Sequence, residues 1–269
     1  MDYLLTAPLT SMQNAFSVKG KNVVVTGGGS GIGRGIAKAF AESGANVIIF
    51  DINLTAAQAV CEELKSFGGR HTCFACNIAD HENVKTACAG VFEFFDHVDV
   101  LVNNAGVGTT QPFLSDKGLD EWHRVININL HGTAHMIYEI APKMVEAGKG
   151  GEIINISSCG AVFVGHSKTH HNAPYNVSKA GVDIFTKYLA ICLGDEGIRV
   201  NSIRPGPIHS ALDKDLPPEV LEEITGGLPC HRFGEPLEIG ALCVYLSSPA
   251  GVQITGVHYN LDGGLLAVQ

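Results

Sequence analysis

Apolar positions along the chain fall into short solid runs separated by longer amphipathic stretches. Seven runs have the length of buried strands: residues 23–26, 47–50, 72–75, 98–102, 152–156, 200–203 and 258–261. Between them, residues 32–43, 55–67, 81–95, 118–146, 174–193 and 237–247 carry apolar side chains three or four apart, as Ile32, Ile36, Ala37 and Phe40 do. That spacing puts one apolar stripe on a helix. Strands alternating with helices predict an α/β fold: a single doubly wound domain over residues 21–269, with a seven-stranded, mostly parallel sheet and helices on both faces. Residues 1–20 break the pattern and read as an arm, with Phe16 and Val18 available to pack on the domain.

The join between the first run and the first helix carries the first chemical signal. Five glycines fall within Gly27–Gly33, at 27, 28, 29, 31 and 33. Strand, glycine turn and helix form the entry to a Rossmann dinucleotide site: the turn lets backbone approach a pyrophosphate, and the helix N-terminus offers it unpaired N–H groups. A flexible glycine turn would look the same from the spacing alone. The second run, however, ends in Asp51, about twenty residues on, where a carboxylate accepts hydrogen bonds from ribose hydroxyls.

Composition narrows the functional classes. The formal charge of −9 disfavours nucleic acid as a partner. No apolar run reaches the ~18 residues of a membrane span, and the N-terminus lacks the basic start of a secretory signal. Eight scattered cysteines suit a reducing, cytoplasmic setting. Cys73 and Cys76 form one C-x-x-C without a second pair, so they read as core thiols, and no metal is expected.

Tyr175 and Lys179 stand four apart at the start of a helical pattern and so share a face. An ammonium there should lower the phenol's pKa towards useful acid/base work. Ser157-Ser158 ends the fifth strand, Asn129 lies within an apolar helical stretch, and Asn103-Asn104-Ala105-Gly106 follows the fourth strand. The glycine spacing Gly27-x-x-x-Gly31-x-Gly33, the Asn-Asn-Ala-Gly turn, the Tyr-x-x-x-Lys pair and Arg204-Pro205-Gly206-Pro207-Ile208 occur in this order. Together they resemble the short-chain dehydrogenase/reductase family over about residues 18–265.

The resemblance implies an NAD-dependent oxidoreductase that moves a hydride between a secondary alcohol or ketone and a nicotinamide. It implies a catalytic set of Asn129, Ser158, Tyr175 and Lys179, with Ser158 chosen as the second serine of its pair. It implies cofactor contacts from Gly27, Ser30, Gly31, Ile32, Gly33, Asp51, Asn77, Ile78, Asn104, Ala105, Gly106, Tyr175, Lys179, Pro205, Gly206, Ile208 and Ser210. Asn77 reads equally as an ordinary turn residue. Asp51 points to NAD, because a carboxylate repels the 2′-phosphate of NADP.

The arm is similar to that of relatives acting on sugars and polyols, so a small polyol, sugar or hydroxy-ketone is the expected substrate. A 3-oxoacyl- or steroid-type reductase and a non-catalytic nucleotide-binding regulator are the alternatives. Residues 208–229 are expected to form a substrate lid. A His-rich stretch with His166, His170 and His171 lengthens the approach to Tyr175 and reads as a polar loop. Apolar helices over 118–146, 174–193 and 237–247, with Ala241, Leu242, Val244 and Leu246, predict a homotetramer or dimer.

Overall fold

The computed structural model describes residues 8–164, 172–209 and 217–268. Seven strands form one wholly parallel sheet: β1 (Asn22–Thr26), β2 (Asn46–Asp51), β3 (His71–Ala75), β4 (Val100–Asn103), β5 (Gly151–Ile156), β6 (Ile198–Pro205) and β7 (His258–Leu261). Their order is β3-β2-β1-β4-β5-β6-β7. The chain winds outward to β3, then crosses back to lay β4 beside β1. The connections on either side of that pair leave in opposite directions, which opens a crevice at the carboxyl ends of β1 and β4.

Successive side chains of a strand point to opposite faces, and here both faces are covered. Val23, Val25, Val47, Ile49, Val100 and Val102 pack on one side with α1 (Gly31–Glu42), α2 (Leu54–Leu64) and the last long helix. Val24, Ile48, Phe50, Leu101 and Ile153 pack on the other with α3 (His81–Phe94) and two longer helices. This double burial is why the strands read as solid apolar runs rather than as alternation.

The stretch 118–146 is not one regular helix. It divides into α4 (Gly118–Ile126), a π-helical turn over Asn127–His131, and α5 (Gly132–Ala147). After it come α6 (Ala173–Leu193), α7 (Pro218–Gly226) and α8 (Pro236–Ser247). α7 falls inside the expected lid and buries none of its residues. α8 lies close on α1: a Cβ on Gly240 would come within 2.6 Å of the Ala39 Cβ, and one on Gly35 within 2.5 Å of Pro236. Leu246 is fully buried, and Leu242 and Val244 pack against the same core. Leu246 therefore belongs to the chain's own interior, a correction to its reading as part of an assembly face, while Leu242 and Val244 are only partly buried.

Candidate active site

The carboxyl ends of the strands surround a cleft of about 690 Å³. Its floor is built by the end of β1. Gly27 takes φ +66°, and a Cβ on Gly33 would sit 2.1 Å from the Gly27 carbonyl oxygen, so only glycine allows α1 to start this close to the strand. Gly31, at φ +50°, has open space where a side chain would project. Ser30 caps α1 without a side-chain hydrogen bond, and the first turn of α1 holds no carboxylate. First-turn N–H groups have no intrahelical acceptor. A bare glycine shelf with free donors is the chemistry a pyrophosphate requires, so the residues fit a dinucleotide.

Asp51 closes one end of the cleft. Its Oδ2 accepts from the Gly29 N–H at 2.9 Å and its Oδ1 from the Asn53 N–H at 2.8 Å. The neighbouring lining residue is Ile52, which is largely exposed. Arg34 turns away: its guanidinium pairs with Glu63 of α2 at 2.8 Å. Asn77 and Ile78 line the same end. The Asn77 side-chain oxygen accepts from Ala79 N–H at 3.2 Å, a local turn, while Ile78 packs against Gly132 of α5.

The β4 loop is tied to β1 through Thr26, whose Oγ1 accepts from the N–H groups of Asn104 and Ala105, each at 3.0 Å. The Asn104 amide donates back to the Thr26 carbonyl at 2.9 Å. Ala105 and Gly106 are thereby held along the cleft wall. Pro205 and Gly206 line the opposite side. A Cβ on Gly206 would meet Asp262 at 2.7 Å, so the turn there also requires a bare backbone.

Ser158, Tyr175 and Lys179 converge on the cleft. The hydroxyls of the serine pair diverge. Ser157 Oγ donates inward to the Lys179 carbonyl at 3.2 Å, whereas Ser158 hydrogen-bonds Tyr175. Lys179 Nζ lies 5.7 Å from the Tyr175 ring centre and donates to the Ile156 carbonyl at 2.7 Å. Burial pushes the Tyr175 phenol above its usual range, with the Ser158 hydrogen bond acting in the opposite direction. This corrects the expectation that lysine would dominate and lower it. Burial also brings Lys179 down to about 8, with Asp183, one helical turn further on, opposing that shift.

Asn129 stands behind this wall rather than on it. Fully buried in the π-helical turn, its Oδ1 accepts from Val107 N–H at 2.8 Å, and its Nδ2 donates to Val107 O at 3.0 Å and Ser178 Oγ at 3.1 Å. It fixes the loop that carries Gly106. A Cβ on Gly106 would lie 3.2 Å from Asn129 Oδ1 and 3.5 Å from Lys179 Nζ.

One expected contact differs, and another lies outside the described residues. Ile208 does not border the cleft: it bridges to Gly234 and packs on the core. Ser210 lies outside the described residues, as do His166, His170 and His171. Among the described residues no group of three or more His, Cys, Asp or Glu is placed to hold a metal. Residues the sequence reading passed over include Thr26, Ser178 and Asp183. Asp183 had a usable signal, its i+4 spacing from Lys179. Thr26 had none, because its partners lie far along the chain, and neither did the contact of Ser178 with Asn129.

Comparison with known proteins agrees with this arrangement. A family profile described as Enoyl-(Acyl carrier protein) reductase matches residues 27–266. A D-threitol dehydrogenase of Mycolicibacterium smegmatis is 37% identical over 254 residues, covering 93% of this chain and 94% of that protein. A 2,5-dichloro-2,5-cyclohexadiene-1,4-diol dehydrogenase of Sphingobium indicum is 34% identical, covering 91% of this chain and 96% of that one. A structure of 7α-hydroxysteroid dehydrogenase complexed with NADH and 7-oxoglycochenodeoxycholic acid superimposes with TM-score 0.86 at 32% identity, covering 94% and 96% of the two chains. With the fold, the glycine shelf and the serine–tyrosine–lysine wall already in place, these likenesses make the chain a member of the short-chain dehydrogenase/reductase family, an oxidoreductase acting on alcohols and ketones.

Proposed function

We propose that the protein is an NAD-dependent dehydrogenase of a small polyol, sugar or hydroxy-ketone. The observation that carries the cofactor choice is the Asp51 end of the cleft. A carboxylate bounds the place expected for the adenosine ribose, the adjoining Ile52 is uncharged, and the nearest cation, Arg34, is engaged by Glu63. Ribose hydroxyls donate to such a carboxylate, while a dianionic 2′-phosphate is repelled. A bound nicotinamide would supply the acceptor or donor for the hydride.

The chain's own residues handle one proton and one oxygen. Tyr175 exchanges the proton with the substrate oxygen, Ser158 holds that oxygen, and Lys179 sets the charge beside the phenol. Asn129 holds the loop against which these groups are placed. The D-threitol relative supports a polyol, and the hydroxysteroid relative supports the broader class of cyclic secondary alcohols. Assembly as a tetramer or dimer belongs to the same reading. So does a cytoplasmic location, for which the support is that none of the eight cysteines is disulfide-bonded. Among the described residues no helix is long and apolar enough to cross a membrane.

The test is reduced-nicotinamide absorbance with a panel of polyols, sugars, hydroxysteroids and 3-oxoacyl thioesters, run with both cofactors. kcat/KM should favour NAD by at least about tenfold, a gap of ~1.4 kcal/mol. Asp51→Ser combined with Ile52→Arg should narrow or reverse it. Equal efficiency with NAD and NADP in the unmodified protein would sink the cofactor assignment while leaving the catalytic wall untouched.

A further inference from the structure

A second cavity, of about 390 Å³, lies at the opposite end of the sheet, where β1, β5 and β6 begin. Lys21 precedes β1, Gly151 opens β5 and Arg199 is the second residue of β6. The arm covers one side with Pro8 to Ser11 and Gln13, and the end of α8 supplies Ser247. Among the described residues three cations line this cavity, Lys21, Lys149 and Arg199, and no carboxylate does. Arg199 is paired with Glu152, so in a chain of net charge −9 the positive charge left to the cavity is that of Lys21 and Lys149.

The nearby carboxylates are turned to other tasks. Asp99 accepts from the Asn22 N–H at 2.8 Å and faces His97 at 3.4 Å. Glu152 is fully buried, pairs with Arg199 at 2.6 Å and accepts from Asn201 at 2.9 Å. Arg199 is further fixed by the carbonyls of Leu246, Gly251 and Ile254 at 2.8–3.1 Å, so its charge is held rigidly. Lys21 differs: it is half-buried, and its ammonium makes no hydrogen bond or close ion pair among the described residues, with Asp99 and Glu152 acting on it only at longer range. Ser247 is the independent sign of a ligand. It is 1% exposed, lines the cavity, and its Oγ has no hydrogen-bond partner. A buried unpaired hydroxyl beside an unpaired, partly desolvated ammonium is costly unless something accepts from both.

We propose that this cavity is a binding site for a small organic oxyanion, a phosphate- or carboxylate-bearing metabolite, held by Lys21, Lys149, Arg199 and the Ser247 hydroxyl. The volume exceeds that of a lone inorganic phosphate and suits a small molecule carrying hydroxyls, which Thr10, Ser11 and Gln13 can also engage. Burial lowers the Lys21 pKa, and an anion beside it would reverse that cost. The arm is anchored just beyond, where Ala250 N–H donates to the Ala15 carbonyl at 2.8 Å and Phe16 packs on Tyr245. A bound anion would join arm and strands, and so raise the thermal midpoint by linkage.

The experiment titrates pyrophosphate and citrate separately into the full chain by calorimetry and thermal denaturation. The cofactor cleft is saturated with whichever of NAD or NADP the enzyme takes, and sodium chloride at equal ionic strength is the control. At least one of the two anions should bind stoichiometrically and raise the midpoint above the chloride control. The tighter of the two assigns phosphate or carboxylate as the preferred group. Lys21→Met should weaken binding about tenfold or more, as expected for loss of a charge-assisted hydrogen bond. Lys149→Ala, on the exposed rim, and Ser247→Ala should each weaken it about threefold. Lys149→Ala should leave kcat unchanged. If neither anion exceeds chloride, or if binding is the same in Lys149→Ala and Ser247→Ala as in the unmodified chain, the site does not exist as described.

Discussion

At the scale of single residues, Tyr175 and Lys179 are pushed in opposite directions by the same burial, the phenol up and the ammonium down to about 8. The two should titrate as a pair, so the apparent pKa values belong to the pair and not to either side chain. Reduction of a ketone needs the pair with both protons, phenol and ammonium, whereas oxidation of an alcohol needs it one proton poorer. The reductive kcat/KM should therefore stay level below pH 8 and fall above it, while the oxidative value climbs through the same range. An oxidative rate that declined from pH 6 to 9 would contradict this. Tyr175→Phe removes only the exchanging hydroxyl: turnover should drop at least about 100-fold, with cofactor affinity, read by fluorescence titration, nearly unchanged. The Tyr-x-x-x-Lys spacing was legible because four residues on a helix is a fixed geometry. The choice between Ser157 and Ser158 had no such basis in the residues. Both end the same strand, and only the folded chain shows Ser157 hydrogen-bonded to the Lys179 carbonyl and Ser158 facing Tyr175.

At the scale of elements, the strands were legible and the irregularities were not. Buried parallel strands announce themselves as solid apolar runs. A single π-turn adds one residue to a helix whose apolar stripe continues on both sides, so residues 118–146 read as one unbroken element. That turn places Asn129 against Val107 and Ser178. Asn129→Ala would leave the half-buried Val107 N–H without its acceptor, and unpaired groups out of water cost up to ~1–3 kcal/mol each. A lower thermal midpoint and a fall in kcat should appear together. Unchanged stability with lost activity would instead assign Asn129 a purely chemical role. α7 escaped notice for the opposite reason. At nine residues it is too short for its apolar positions, Val220, Leu221 and Ile224, to stand out among several acidic ones, and none of its residues is buried. The sheet's register, from Asn22 beside Asn46 to Asp51 beside Ala75, then sets the cleft by placing the ends of β1, β2 and β3 at one edge.

For the whole molecule, the question is which apolar surface is core and which is interface. Sequence alone cannot separate them, because a stripe covered by its own sheet and one covered by a second copy have the same composition. α8 shows the first case, with Leu246 fully buried under the chain's own packing. α6 carries a stripe that the chain itself leaves uncovered. Val177, Ile184, Tyr188 and Ile191 recur at helical spacing on its outer face, with Ile184 66% and Ile191 82% exposed. Tyr138 on α5 and Leu119 on α4 are exposed as well. An apolar stripe along one face of a long helix is more than the isolated exposed side chains a monomer commonly carries. A two-fold axis across α6 would bury the stripe against its own copy. Light scattering at micromolar concentration should then give at least twice the mass of one chain. Ile184→Glu together with Ile191→Glu places like charges across that axis and should lower the mass towards one chain. Neither residue lines the cleft, so any loss of activity in the pair would report dependence of the site on assembly and not direct damage to it. A monomer in the unmodified protein would remove the interface, and the exposed stripe on α6 would then have to be covered by something other than a second copy.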